Sequence, residues 1–486
     1  MSDTRTVTGV LRTRSGQPFA NKTMTWSPAP RRAVAREGVG FVDERFFSVT
    51  GADGAVNVDV VPGQYLVMVS LADADRYIQV TIPEGEGTFN IADGMYQEVP
   101  ATPSEPWETT RILLRSFLST TSGAANPHSQ GAMPAPPTVV TGAGGPAAPA
   151  APYDMLTKSY RYAAGTLANV ARFDGGGGKP YFTDYRRFPV ATRAATGGNA
   201  NDGEDAVSWR AGFVVDAAAL AFRVVGSSVF NYRMIVDGRY VSVTPTSMTT
   251  GGRQYIVLDF GTKAVRVVQI EGSQAAALDG IHIAPADTVT RLEEAPFGAL
   301  MFGDSFTGAT GVPAGRDGDG LAVVAGDHLG LPLWASGVGG SGYVATAGGT
   351  VFALPQRIGT DIQRYVDEKG APPQLVIVAM GINDIGSGGI APAAATCFDI
   401  IRNRCPAALV FVLGPWDRAA PLAPDAGYAE VKASIITALT GRTGFFFIDS
   451  QGIDFTKSDA THPDAAGHQA LGVWLNGRIR SLVAQT

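Results

Sequence analysis

The chain has 486 residues, too many for one compact core, so several domains are expected. Its 45% hydrophobic and 17% charged residues describe a water-soluble globular protein, and a net charge of −6 excludes the basic footprint of a nucleic-acid binder. No apolar run approaches the roughly 18 residues of a membrane-spanning helix, so no membrane insertion is expected.

The first residues, "MSDTRTVTGVLRTRSGQPF", contain no apolar stretch of the kind a secretory signal peptide needs. From there to residue 118 the pattern is all-β. "VTGVLRT", "KTMTWSP", "RFFSVT", "AVNVDVV", "QYLVMVSL" and "YIQVTIP" are short β-rich runs separated by turn signals at Ser15-Gly16, "GADG" (51–54) and Pro62-Gly63. That spacing predicts a small β-sandwich.

Residues 119–153, "STTSGAANPHSQGAMPAPPTVVTGAGGPAAPAAPY", are dominated by Ala, Pro, Gly, Ser and Thr, with almost no charge. A segment so poor in apolar bulk reads as a linker, with His128 a solvated residue inside it. Residues 154–295 return to β-character in "AALAFRVVG", "YRMIVDGRYVSVTP", "RQYIVLDF" and "AVRVVQIEG", with Asp237-Gly238 as a hairpin turn. They predict a second β-sandwich or jelly roll, whose "ATGGNANDGED" and "TTGGRQY" loops read as plain turns.

After residue 296 the pattern changes. "GALMF" (298–302), "PLWAS" (332–336), "QLVIVAM" (374–380), "ALVFVLG" (408–414) and "FFFIDS" (445–450) are near-continuously apolar and alternate with helical stretches at 354–369, 428–442 and 465–483. Such alternation predicts a parallel sheet covered on both faces, with ligands bound beyond the carboxyl ends of its strands. The only two cysteines, Cys397 and Cys405, lie on one predicted helix in "TCFDIIRNRCP"; they form neither a disulfide nor a metal pattern and fit a reducing cytoplasm.

The loops after those strands carry the chemistry. Ser305 follows the first strand in Gly303-Asp304-Ser305, "SGVGGSGY" (336–343) follows the second, Gly381-Ile382-Asn383-Asp384 the third, and "SDATHPDAAGH" with Asp459 and His462 the last. Acyl transfer needs such a set. A serine hydroxyl is a poor nucleophile until a base takes its proton. A histidine suits that task, a carboxylate fixes the imidazole tautomer, and N–H donors must meet the developing oxyanion. Each element alone is weak; four in order, each ending a strand of one α/β domain, are not.

This pattern resembles the SGNH (GDSL-type) hydrolases over residues 296–486. The resemblance implies Ser305 as nucleophile, His462 as base and Asp459 as the acid that orients it. The oxyanion hole would be formed by the Ser305 and Gly340 amides and the Asn383 side chain, with Gly339 the neighbouring registration for the glycine. Ala335-Ser336 stands where the family often has an asparagine, a departure that bears on loop support. Asp384 is expected to tie down its own loop, and Trp416 in "GPWDR" and Gly339 are candidates to line the substrate cleft. His282, His328 and His468 have no motif partner. Neither metal nor cofactor is implied.

The family hydrolyses esters and thioesters. No long apolar insertion supplies a lipid lid, and a β-sandwich before the hydrolase domain is similar to carbohydrate O-acetylesterases. The leading expectation is therefore deacetylation of a polysaccharide; the alternatives are a lipid esterase or thioesterase, and a non-catalytic glycan-binding receptor protein. The N-terminal strands and turns resemble attachment modules of bacteriophage tail fibres and spikes. That resemblance implies a virion protein made in the bacterial cytoplasm, a homo-oligomer (a trimer by analogy), other tail proteins as partners, and capsule or lipopolysaccharide as substrate.

Overall fold

The structure, a computed structural model, describes residues 5–10, 23–28, 46–49, 55–60, 63–69, 76–82, 88–90, 97–99, 106–121, 126–142, 149–161, 164–174, 208–226, 230–248, 252–272, 276–313, 316–417 and 427–484. The chain divides into two compact units, Met1–Phe117 and Leu118–Thr486. The turn signals at residues 15–16 and 51–54 and the loop at 195–205 lie outside the described residues.

In the first unit the six expected strands and two that the sequence reading did not name, Thr88–Asn90 and Gln97–Val99, form two sheets. Arg5–Val10 lies between Ala55–Val60 and Thr88–Asn90 in one sheet; the other runs Phe46–Val49, Thr23–Pro28, Gly63–Val69, Arg76–Ile82, Gln97–Val99, antiparallel throughout. The all-β reading fails at its end, where Pro106–Thr120 is a helix. Proline opens it, where its missing N–H costs nothing, and "TTRILLRSFL" continues without a breaker.

In the second unit the β-domain is built on two long strands, Trp209–Gly226 and Gly252–Gly272. The first cannot be straight. Phe213 and Phe222 are nine positions apart, about 30 Å in an extended strand, yet their ring centroids are 5.6 Å apart. The strand bends at a register shift between Ala217 and Ala219. The shift changes the inward-facing parity from Phe213 and Val215 to Leu220, Phe222 and Val224, so both halves bury their side chains in one core. Asp237-Gly238 forms the expected tight hairpin, with φ of 48° and 79°.

The linker reading is overturned for the described part of 119–153. Pro127–Gln130 is a short helix capped by Asn126, and Thr138–Thr141 pairs antiparallel with residues 256–259 of the long strand Gly252–Gly272. The His128 side chain is 3% exposed, its Nε2 3.1 Å from the Asp327 carboxylate. The segment needs little apolar bulk of its own because it adds to a sheet and a charge cluster that already exist.

That cluster joins the β-domain to the α/β domain. Arg233 reaches Glu271 at 2.6 Å and Asp319 at 2.7 Å, while Arg210 reaches Glu271 at 2.7 Å and Asp327 at 2.9 Å. Burial opposes ionisation of Glu271, but Arg233 and Arg210 hold its carboxyl below the ordinary range.

The α/β domain has five parallel strands in the order Leu333–Gly337, Ala299–Gly303, Leu375–Ala379, Leu409–Leu413, Phe445–Ile448. Leu300, Phe302, Val376, Val378, Val410 and Val412 pack under the helices Leu354–Lys369, Ile390–Arg404 and Tyr428–Leu439. The alternate residues Met301, Ile377 and Phe411 are also buried, and the paired helices Leu321–Leu329 and Ala465–Ala484 serve that face. Strand order reverses beside Ala299–Gly303, so the loops after residues 303 and 379 diverge to open a crevice at the switch point. Among the described residues no helix is long and apolar enough to cross a membrane, and both cysteines are free and buried.

Candidate active site

Ser305 stands on the turn that leaves the strand Ala299–Gly303. The turn is closed by the Gly308 amide donating to the Asp304 carbonyl at 2.9 Å and by Phe306 N–H donating to Asp304 Oδ1 at 3.0 Å. Gly303 is required there: a Cβ would lie 1.9 Å from Thr307 Oγ1. Burial pushes the Asp304 carboxyl up to about 7, and nearby Asp384 adds to the rise.

The base arrives from the other end of the sheet. The loop after Phe445–Ile448 is pinned where Ser458 N–H donates to the His462 carbonyl at 2.9 Å. Asp459 Oδ1 accepts the Thr461 and His462 amides, both at 2.7 Å, and Oδ2 accepts His462 Nδ1–H at 2.8 Å. These bonds, the His462 amide foremost, hold the Asp459 carboxyl far below its ordinary range. With its Nδ1 proton committed to Asp459, His462 presents Nε2 to the Ser305 hydroxyl at 3.0 Å. The three residues expected from the motifs are thus one hydrogen-bonded chain.

Of the two middle loops, the one after Leu333–Gly337 abuts the serine and the one after Leu375–Ala379 is tied to it. Gly339 and Gly340 occupy the centre of a turn closed by Ser341 N–H donating to the Val338 carbonyl at 3.1 Å, with Gly340 at φ 75°. A methyl group on Gly339 would stand 3.8 Å from the Ser305 Cβ, so this turn abuts the nucleophile directly. Asn383 donates one amide hydrogen to the Ser341 carbonyl at 2.9 Å; an amide nitrogen carries two, so one remains for a ligand. Asp384 does not tie its own loop as expected. It accepts the Tyr343, Val344 and Ala345 amides at 2.7, 3.0 and 2.9 Å and so clamps the Gly339–Gly340 loop to the third strand's end.

Trp416 does not line the cleft. It is 1% exposed and stacks under Phe306 with centroids 5.5 Å apart. Phe306 in turn meets Phe455 at 5.9 Å and His462 at 6.1 Å. The tryptophan supports the floor on which serine and histidine rest. Phe306 escaped the sequence reading because an aromatic beside a motif serine looks like any core residue.

His468, without a motif partner, also serves the site. It is fully buried, accepts the Leu321 amide on Nδ1 at 3.2 Å and donates Nε2–H to the Thr310 carbonyl at 3.0 Å, bracing the segment that leaves Ser305. Burial holds its imidazole down to about 4. Among the described residues no cluster of three or more His, Cys, Asp or Glu side chains could hold a metal ion.

Residues 301–470 match the GDSL-like Lipase/Acylhydrolase family. No curated protein matches the sequence. Among solved structures, the chain is similar to a family two carbohydrate esterase from Cellvibrio japonicus, at 14% identity over 71% of this chain and 99% of that one, TM-score 0.51. It is similar to the salicylyl-acyltransferase SsfX3 from a tetracycline biosynthetic pathway, at 12% identity over 68% and 98%, TM-score 0.51. It is also similar to an active-site mutant of a family two carbohydrate esterase from Clostridium thermocellum, at 13% identity over 65% and 99%, TM-score 0.50. The α/β domain alone is less than half of the chain, so these likenesses of fold extend into the β-domain before it. Residues 301–470 are therefore a GDSL-like lipase/acylhydrolase domain, and the Ser305–His462–Asp459 chain within it makes it an esterase domain.

Proposed function

We propose that this hydrolase removes O-acetyl groups from a polysaccharide. The observation that carries the reading is the unbroken chain from Asp459 Oδ2 through His462 to the Ser305 hydroxyl, at 2.8 and 3.0 Å. His462 takes the Ser305 proton as Oγ attacks the acetyl carbonyl. The negative oxygen of the tetrahedral intermediate rests on the Ser305 and Gly340 amides and the second Asn383 hydrogen. Collapse expels the sugar oxygen, which takes the proton back from His462. Water activated by the same imidazole then hydrolyses the acetyl-enzyme, releasing acetate and free serine.

The polysaccharide part of the reading is supported by the arrangement of a β-domain directly before the hydrolase domain, shared with the family two carbohydrate esterase from Cellvibrio japonicus. The bacterial setting rests on the N-terminal strands. We infer that the polysaccharide is a host capsule or lipopolysaccharide and that the first unit attaches the enzyme to a phage-type tail fibre or spike, assembled in the bacterial cytoplasm as a homo-oligomer.

One observation favours a second reading. The acyltransferase SsfX3 shares the same two-domain coverage, so an alcohol could replace water in the second half-reaction. Acetate release from O-acetylated bacterial polysaccharides by the wild type and by Ser305→Ala tests the proposal. Release that vanishes in the variant supports it. Transfer of the acyl group to an added alcohol in preference to water moves the assignment to an acyltransferase; binding of glycan without release moves it to a receptor protein.

A further inference from the structure

Arg357 is a cation in the first turn of the helix Leu354–Lys369 and is completely buried. Both facts run against local rules. The helix dipole disfavours a positive charge at an N-terminus, and burying an ion costs several kcal/mol unless its partners are in place. An apolar residue would satisfy a core position more simply. What Arg357 does touch is specific.

Its Nη2 donates to the Gly303 carbonyl at 2.9 Å and its Nη1 to the Ser336 carbonyl at 3.3 Å. Nη1 also bonds the Ser336 hydroxyl and, at 2.9 Å, Asp361 Oδ2 one turn along the helix. The Ser336 hydroxyl donates to the same Asp361 oxygen at 2.7 Å, closing the set. Gly303 and Ser336 belong to neighbouring parallel strands, at the ends where the nucleophile turn and the Gly339–Gly340 turn begin. The two turns are in contact: Val338 N–H donates to the Gly303 carbonyl at 3.1 Å, and a Cβ on Gly337 would lie 2.2 Å from the Gly308 nitrogen.

We propose that Arg357 is a positioning residue for the ester chemistry: its planar guanidinium, seated by Asp361 and Ser336, fixes the spacing between the Ser305 turn and the Gly339–Gly340 turn. A rigid fork that grips two carbonyls on adjacent strands fixes their separation, which a lysine's single ammonium cannot do. Electrostatic stabilisation of an oxyanion needs donors held in place before the charge develops, so slack between these turns is lost rate. Ala335-Ser336 stands where the motif often carries asparagine, and here the Ser336 hydroxyl completes the seat of Arg357. The inference rests on the assignment of the Ser305 and Gly340 amides to the oxyanion, not on the identity of the sugar.

The test uses the full chain and p-nitrophenyl acetate, which needs no polysaccharide. Turnover that Ser305→Ala abolishes establishes the chemistry first, so an error in the polysaccharide assignment leaves the experiment intact. Arg357→Met and Arg357→Lys are compared with wild type for kcat per folded molecule, KM, the pH profile of kcat/KM and melting temperature. Mispositioning predicts a kcat lower by about 30-fold or more in both variants, with KM within about threefold and the pH midpoint unmoved, because His462 and Asp459 do not touch Arg357. A kcat within about threefold of wild type, with only the melting temperature lowered, would mean a purely structural role and overturn the proposal. Should neither variant fold, Ser336→Ala decides: it removes the hydroxyl that seats the guanidinium. A drop in kcat of about fivefold or more at unchanged KM supports the proposal, and a smaller drop rejects it.

Discussion

The Asp459 carboxylate holds His462 twice over, by the backbone amide on Oδ1 at 2.7 Å and by the ring Nδ1–H on Oδ2 at 2.8 Å. One side chain therefore sets both where the histidine's main chain lies and which tautomer its ring adopts. Asp459→Asn keeps the shape but offers the ring an amide that can present its own N–H to Nδ1. The expected result is a fall in kcat of about 10³–10⁴-fold with little change in KM, measured with an activated acetate ester. A loss below about tenfold would mean that the ring is oriented by something other than Asp459.

Asn383→Ala removes one oxyanion donor and should lower kcat by about 10²–10³-fold. The same change frees the Ser341 carbonyl that Asn383 Nδ2 bonds at 2.9 Å, so the melting temperature is read alongside. A folded variant with less than a threefold loss would remove Asn383 from the hole.

Asp384→Asn tests the clamp between the two middle loops. Three amides converge on the Asp384 carboxylate, and an asparagine can place only one oxygen among them. Its NH₂ group would face N–H donors. We expect a drop in kcat of about 10-fold or more, together with faster amide hydrogen exchange at residues 343–345. Exchange as slow as in the wild type would show that other contacts hold the loop.

His468 makes stability depend on pH. In the unfolded chain its imidazole takes up a proton below about 6.5; in the folded protein burial delays this to about 4. Between those values the unfolded state binds more protons, so this group makes stability fall as pH drops from 6.5 to 4, by at most about 3 kcal/mol. Above 6.5 it adds no slope. Urea unfolding across this range should show a shallower pH slope for His468→Gln than for the wild type; identical slopes would mean that other groups carry the dependence.

Arg233→Met removes the cation shared by Glu271 and Asp319 in the joint between the β-domain and the α/β domain. Two buried carboxylates then lose a partner, and unfolding free energy should fall by about 3–5 kcal/mol. A change below about 1 kcal/mol would mean that water enters the joint and replaces the arginine.

The α/β domain and the members of its site were legible because each motif follows an apolar strand, and parallel strands deliver their following loops to one edge. What a side chain meets from a distant segment was not legible. Arg357, in a helix with a polar face, reads as solvated; only the fold brings the Gly303 and Ser336 carbonyls to it. Trp416 follows a strand just as a cleft residue would, and its place beneath Phe306 depends on packing that no spacing encodes. His128 lies in a Pro- and Ala-rich stretch whose composition denies it a core of its own. Its partner Asp327 belongs to a domain that begins far along the chain. The helix Pro106–Thr120 is a different kind of miss, since its proline start and unbroken run were present to be read.

The base and its acid share one turn, whereas the nucleophile stands on another strand's loop. Asp459 and His462 are joined by two short bonds within a few residues, and His462 meets Ser305 through a single bond of 3.0 Å. As mechanical parts they are a preassembled two-residue cartridge and a fixed anvil. Small displacements of the Ser458–Pro463 loop change the distance across that one gap while the cartridge stays intact. Activation of the nucleophile is thus a separate matter from the placing of the oxyanion donors: it is set by how firmly this one loop seats against the turn that carries Ser305.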